Sequence, residues 1–259
     1  MTFTEATLSA WLGAFLWPLM RIGAMMAAAP IFSARTVPIR FRAMLAVMVT
    51  WIVMPLLPPP PVVDTLSHEA FMMALQQLAI GAMMGFVLQM VFGALIFGGQ
   101  SIAVSMGLGF ASMMDPQNGV QVPVVSQYYV ILGTLTFLLL NGHLILIQLV
   151  VDSFQTLPIA VDGVTRNNLW DLVSWGSRVF AGGLLMALPA MSALLLVNMG
   201  MGIITRAAPQ LNIFAVGFPM TLLIGLILIW LTSSNVLANF GELFQEGLQL
   251  VMRNLLILR

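Results

Sequence analysis

Few side chains in this sequence can do covalent or acid–base chemistry. His68 and His143 are the only histidines, cysteine is absent, and all nine basic residues are arginines. A histidine metal site needs a second ligand at helical or short-loop spacing, and neither histidine has one. Without cysteine there is no thiolate metal centre, disulfide framework or cysteine nucleophile. Without lysine there is no phosphate-loop nucleotide site, Schiff base or lysine general base. The glycines of "MGLGFASM" at 106–113 stand two apart, as at the start of a dinucleotide fingerprint. Ser112 occupies the place of the third glycine, however, and no strand precedes the motif, so that reading is rejected. An intramembrane enzyme therefore lacks a catalytic set, and no cofactor is implied.

The elements that carry these residues are apolar. Sixty per cent of the 259 residues are hydrophobic, 7% are charged, and the mean hydropathy is +1.03. A water-soluble domain could not present that composition at its surface, so the chain reads as an integral membrane protein. Its formal charge is zero and it has no basic run, which argues against nucleic acid as a partner. The N-terminal stretch carries Glu5 and no positive region, unlike a cleaved signal peptide.

Six apolar runs approach the roughly 20 residues needed to cross a hydrocarbon layer about 30 Å thick. They lie at about 8–29, 41–57, 71–98, 128–151, 179–204 and 213–232. Four consecutive prolines end the second run near Leu57, and Ser67 is expected to cap the third. Arg35, Arg40 and Arg42 crowd the first connection and Arg206 sits in the fifth, whereas acids dominate 58–70 and 152–178. By the positive-inside rule the arginines are topology anchors on the cytoplasmic side and both termini lie outside; pairing with acids of neighbouring subunits is the competing role. Beyond Thr232, apolar residues recur every three or four positions opposite Glu242, Gln245, Glu246, Gln249 and Arg253. This predicts an amphipathic helix suited equally to a membrane surface or to partner helices.

Charge inside the runs is scarce. Arg21 is the one clearly internal charge and is expected to snorkel toward an interface, with a pairing partner as the alternative. His143 is expected to be a hydrogen-bonded interior residue. No carboxylate sits at mid-span, which weakens a proton- or ion-coupled pump. A small-solute secondary transporter remains the alternative class, favoured by the interrupting prolines Pro189 and Pro219. Gly81, Gly85, Gln89 and Gly93 share one helix face and predict close helix packing.

One connection stands apart: "MGLGFASMMDPQNGVQVPVVSQ" at 106–127, with Asp115 its only charge. By itself it reads as an ordered structural loop. Together with "APIFSARTVPIRFRAMLA" at 29–46 and "APQLNIFAVGFPMTLLIGL" at 208–226, it makes the chain resemble, over nearly its whole length, the FliR family of bacterial type III protein export gates, called SctT in injectisomes.

The resemblance implies an all-α membrane protein of helical hairpins, assembled with the homologous FliP and FliQ into a spiral raised out of the bilayer plane. There, apolar helices are covered by neighbouring subunits rather than lipid. It implies a FliP-like portion at 1–177 and a FliQ-like portion at 178–259. The implied location is the bacterial inner membrane at the flagellar basal body. FlhB and FlhA are implied as further partners, with unfolded flagellar subunits as cargo and the injectisome subunit as the variant of the same role. The internal loop would be a non-helical pore plug. Its composition suits that. Gly107, Gly109 and Gly119 admit unusual backbone paths, Asp115 and Pro116 favour a turn, and Pro123 blocks a simple helical continuation. Met106, Leu108, Phe110, Met113, Met114, Val120 and Val122 offer an apolar stopper that yields, because methionine side chains are flexible. Gln117, Asn118 and Gln121 can bond neighbouring loops.

Overall fold

In a computed structural model of the chain, the structure describes residues 5–34, 37–61, 63, 67–108, 124–208 and 213–255. Among these, every regular element is helical, and no strand occurs. Helices α1 (Glu5–Ala28), α2 (Ile39–Val53) and α3 (His68–Ser105) are followed by α4 (Val124–Leu139) and α5 (Gly142–Thr156). Then come α6 (Arg166–Trp175), α7 (Ser177–Ala207) and α8 (Ile213–Leu250), the last ending in a π-helical turn at Val251–Leu255. Helix α2 runs into a 3-10 turn, Met54–Leu56, just before the prolines. Ser67 caps α3 as its sequence suggests: the Ala70 N–H donates to its Oγ at 3.1 Å.

Among the described residues, five helical stretches are long and apolar enough to cross a membrane, or six if the broken pair α4 and α5 counts as one span. The chain is thus an all-α integral membrane protein. The fourth apolar run, continuous by hydropathy, is interrupted at Leu140 and Asn141. Asn141 has φ 55°, in the left-handed region that asparagine tolerates better than most residues. Hydropathy does not register a break made of leucine and asparagine. It also passes over α6, a short polar helix opened by a reciprocal cap: the Asn168 N–H donates to Thr165 Oγ1 at 3.3 Å, and the Thr165 N–H donates to Asn168 Oδ1 at 2.9 Å. The amphipathic segment beyond Thr232 continues α8 without a break. Its apolar face, including Val236, Phe240 and Leu243, is buried inside this chain rather than against a membrane surface or a partner.

The helices form two compact units. The first comprises residues 1–90, 138–175 and 244–259. Here α1 lies against α3 where Gly81 and Gly85 remove side chains from the contact. A Cβ on Gly81 would fall onto the Arg21 carbonyl, and one on Gly85 would stand 2.5 Å from the Met25 carbonyl. The glycine face predicted from spacing is real at these two positions, but Gln89 on the same stripe is exposed.

The second unit comprises residues 91–137 and 176–243. Gly98 and Gly183 bring α3 and α7 into backbone contact, and Gly99 lets α4 approach at Ser126, whose Oγ donates to the Ile96 carbonyl at 2.9 Å. Phe92 meets Phe137 and Phe240 edge-on, with ring centroids 6.3 and 5.3 Å away. Among the described helices α3 is the best covered, with 67% of its most apolar 18-residue stretch buried, against 17% for that of α2. Large apolar side chains such as Phe41, Trp51, Phe180, Leu196, Leu223 and Trp230 stand exposed.

Candidate functional site

Helix α3 stops where the glycine-rich stretch begins. The Gly107 N–H donates to the Val104 carbonyl and the Leu108 N–H to the Ala103 carbonyl, both at 3.0 Å. These paired bonds form a Schellman termination, which needs a residue in the left-handed region one place past the cap. Gly107 supplies it, at φ +84°. A side chain there would be strained, so the first glycine of the stretch is fixed by the end of the helix.

Two neighbouring helices take up carbonyls that this end leaves over. From α8, Thr221 Oγ1 donates to the Met106 carbonyl at 3.3 Å, a proton it shares with the Phe218 carbonyl at 3.0 Å. From α7, Asn198 Nδ2 donates to the Ser105 carbonyl at 3.3 Å. The Met106 side chain is 1% exposed and fills the space over Gly225. A Cβ on Gly225 would stand 2.5 Å from Met106 Cε and 2.6 Å from its Cγ. The Phe218 ring lies beside Gly107. Met106, Gly107 and Leu108 are thus the described part of the candidate plug. Gly109, Phe110, Met113, Met114, Asp115, Pro116, Gln117, Asn118, Gly119, Val120, Gln121, Val122 and Pro123 lie outside the described residues, as does Arg35.

Arg40 is exposed at the start of α2. Arg42 turns back on the preceding connection and donates to the carbonyls of Val37, at 3.1 Å, and of Ala34. Arg206 is exposed in the last turn of α7, where a cation complements the helix dipole.

Arg21 departs most from its expected behaviour. It is 0% exposed, so it does not snorkel. In the first unit its Nε donates to Gln77 Oε1 at 2.8 Å, one terminal nitrogen donates to the Ser153 carbonyl and Oγ at 2.9 and 3.0 Å, and the other donates to the Leu157 carbonyl at 2.9 Å. Its guanidinium carbon lies 4.1 Å from the centre of the Phe154 ring. Ser153 and Leu157 close the C-terminal end of α5, so the charge meets the negative end of a helix dipole, two backbone carbonyls and an aromatic face. No carboxylate is among these partners. Hydropathy cannot foresee such a shell because it is assembled from α1, α3 and α5. His143 also departs from expectation: its Nδ1 is buried without a hydrogen-bond partner among the described residues.

Asn198, Thr221 and Gly225 were not distinguishable in the sequence as holders of the α3 terminus. The only hint was that Thr221 and Gly225 lie four apart on one face of an apolar helix.

The chain matches the family described as bacterial export proteins, family 1, over residues 12–247, which takes in α3, the glycine-rich stretch and both helices that hold its root. It is 42% identical over 236 residues to the flagellar biosynthetic protein FliR of Escherichia coli strain K12, covering 91% of this chain and 90% of that protein. It is 36% identical over 251 residues to the FliR protein of Pectobacterium carotovorum, covering 97% and 96%. The FliR protein of Bacillus subtilis is 29% identical over 250 residues, covering 95% of each chain. With similarity that runs through every long helix of the fold, the chain belongs to the bacterial export proteins, family 1.

Proposed function

We propose that the chain is a noncatalytic subunit of the flagellar type III export gate in the bacterial inner membrane, assembled with FliP and FliQ and in contact with FlhB and FlhA. Unfolded flagellar subunits pass through the channel it helps to enclose. The observation that carries this reading is end-to-end similarity to flagellar biosynthetic proteins, at 42% identity in the first case. Residues 1–177 are the FliP-like portion and 178–259 the FliQ-like portion, the latter holding α8 and all of α7 but its first residue.

One physical feature supports an assembly rather than a lone membrane protein. Helices α3 and α8 each have 38 residues, so each is about 57 Å long at 1.5 Å per residue, nearly twice the hydrocarbon thickness. Helices of that length project beyond a bilayer unless steeply tilted, as a spiral of hairpins raised from the membrane requires. The broad exposed apolar faces of α2, α7 and α8 need cover that lipid or neighbouring subunits can give, and in the proposed gate neighbouring subunits give it.

Residues 106–123 form the plug of the closed channel. A weakly charged, glycine- and methionine-rich stretch suits a seal that must yield to many different polypeptides. Non-helical backbone at membrane depth is tolerated where protein or water surrounds it, and a pore axis offers both.

Expression of the tagged chain with FliP and FliQ tests the assignment. A gate subunit comes out of mild detergent in one large complex with both, and restores secretion of flagellar subunits to cells lacking their own copy. A chain that purifies as a stable monomer and binds a small solute is a transporter instead.

A further inference from the structure

We propose that α7 and α8 position the root of the glycine-rich stretch, making residues 105–107 a fixed post from which the remainder of the stretch departs. The inference rests on the plug reading of 106–123 and narrows it: Met106 is an anchor rather than a yielding part of the seal.

Three contacts act on the same turn of backbone. Thr221 Oγ1 holds the Met106 carbonyl and Asn198 Nδ2 holds the Ser105 carbonyl, each at 3.3 Å. The Met106 side chain occupies a socket that exists because Gly225 has no Cβ. Thr221 and Gly225 are one helical turn apart, so a single face of α8 grips both the carbonyl and the side chain of Met106. A methionine beside a loop would ordinarily be free to adapt; this one is 1% exposed. Swinging the post away would break both hydrogen bonds and empty a filled apolar socket. Thr221, Asn198 and Gly225 are therefore positioning residues: they set where and in which direction the stretch leaves α3.

The absence of cysteine makes a direct test available. In a Met106→Cys, Gly225→Cys chain, the new sulphur at position 106 replaces Cγ, which lies 2.6 Å from the Cβ that Gly225 lacks, a separation within reach of a disulfide after small adjustment. The pair is introduced into cells lacking their own copy. Disulfide formation in the assembled complex is read as loss of maleimide labelling after oxidation, and secreted flagellar subunits are measured before and after. The expected result is a closed disulfide with secretion equal to that of the reduced form. The proposal is overturned by thiols that stay open to labelling, by secretion that stops on oxidation and returns with reductant, or by a pair that secretes in neither form.

A second arm reads sealing. Gly225→Val should displace Met106 and make the assembled complex leak ions, and adding Met106→Ala should restore the seal by freeing the socket. A complex carrying Gly225→Val that assembles and stays tight counts against the post. Failure of the plug reading itself looks different: Met113→Gly with Met114→Gly stays tight while the disulfide still forms and secretion continues.

Discussion

Arg21 places a full charge in a helix that is otherwise apolar, and its shell shows what makes that tolerable. A guanidinium has five donors in a planar fork and no acceptor, so it can be satisfied only by oxygens arranged around its plane. Gln77, Ser153 and Leu157 provide them, and Phe154 covers a face. Replacing a whole buried ion pair by apolar groups can stabilise a protein, but here only one side would be replaced and the oxygens would stay. Arg21→Met should therefore lower the stability of the purified complex by about 2 kcal/mol or more, because it strands Gln77 Oε1 and the Leu157 carbonyl, each stranded buried acceptor costing roughly 1–3 kcal/mol, while the Ser153 carbonyl keeps the Leu157 N–H. Arg21→Lys should fall between, since an ammonium can reach some of the oxygens but cannot span the fork or stack on Phe154. Denaturation of the assembled complex measures both. A Met variant as stable as the parent would show that the shell relaxes or hydrates without Arg21.

At the scale of elements, the glycines of α3 decide which helices touch. Gly183 of α7 would place a Cβ 2.6 Å from the Ala94 carbonyl and 3.2 Å from the Gly98 nitrogen. Backbone cannot step aside as a side chain can, so the helices themselves would have to separate. Gly183→Val should cost about 1–3 kcal/mol, the usual range for over-packing, and reduce the yield of assembled complex. Gly200→Val on the same helix meets nothing within 4 Å and should assemble as the parent does. Equal yields from the two variants would remove the crossing from the account. Helix α3 also shows how ends differ in legibility. Its start at Ser67 follows from a capping residue before an apolar run. Its end at Gly107 is written in one glycine among several, and only the bonds to Val104 and Ala103 single that glycine out.

For the whole molecule, the exposed apolar surface and the weakly charged glycine- and methionine-rich stretch bear on one function. If sister subunits cover the helices and the stretch seals the axis they enclose, then Met113→Gly with Met114→Gly should make correctly assembled complexes leak ions while leaving assembly intact. Conductance of the reconstituted complex reads this directly, and an unchanged conductance would count against the seal. The prediction belongs at this scale because no single chain closes a channel. The stability of α2, whose span is only 17% buried, likewise depends on what surrounds the chain.

Composition and periodicity alone determined that this is an all-helical membrane protein, because an apolar chain in lipid must satisfy its backbone internally and a helix does so with local bonds. They also placed the long spans, the cap at Ser67 and the close approach at Gly81 and Gly85, each of which depends on neighbours a few residues apart. Tertiary structure alone decided that Arg21 is enclosed, that the fourth run breaks at Asn141, that the C-terminal amphipathic face is turned inward, and that Met106 is keyed to Gly225. A buried guanidinium and a methionine in a socket are stable only because of groups tens of residues away in the chain, and local pattern carries no record of them. The break at Asn141 rests on one residue's tolerance of the left-handed region, which a hydropathy pattern does not register.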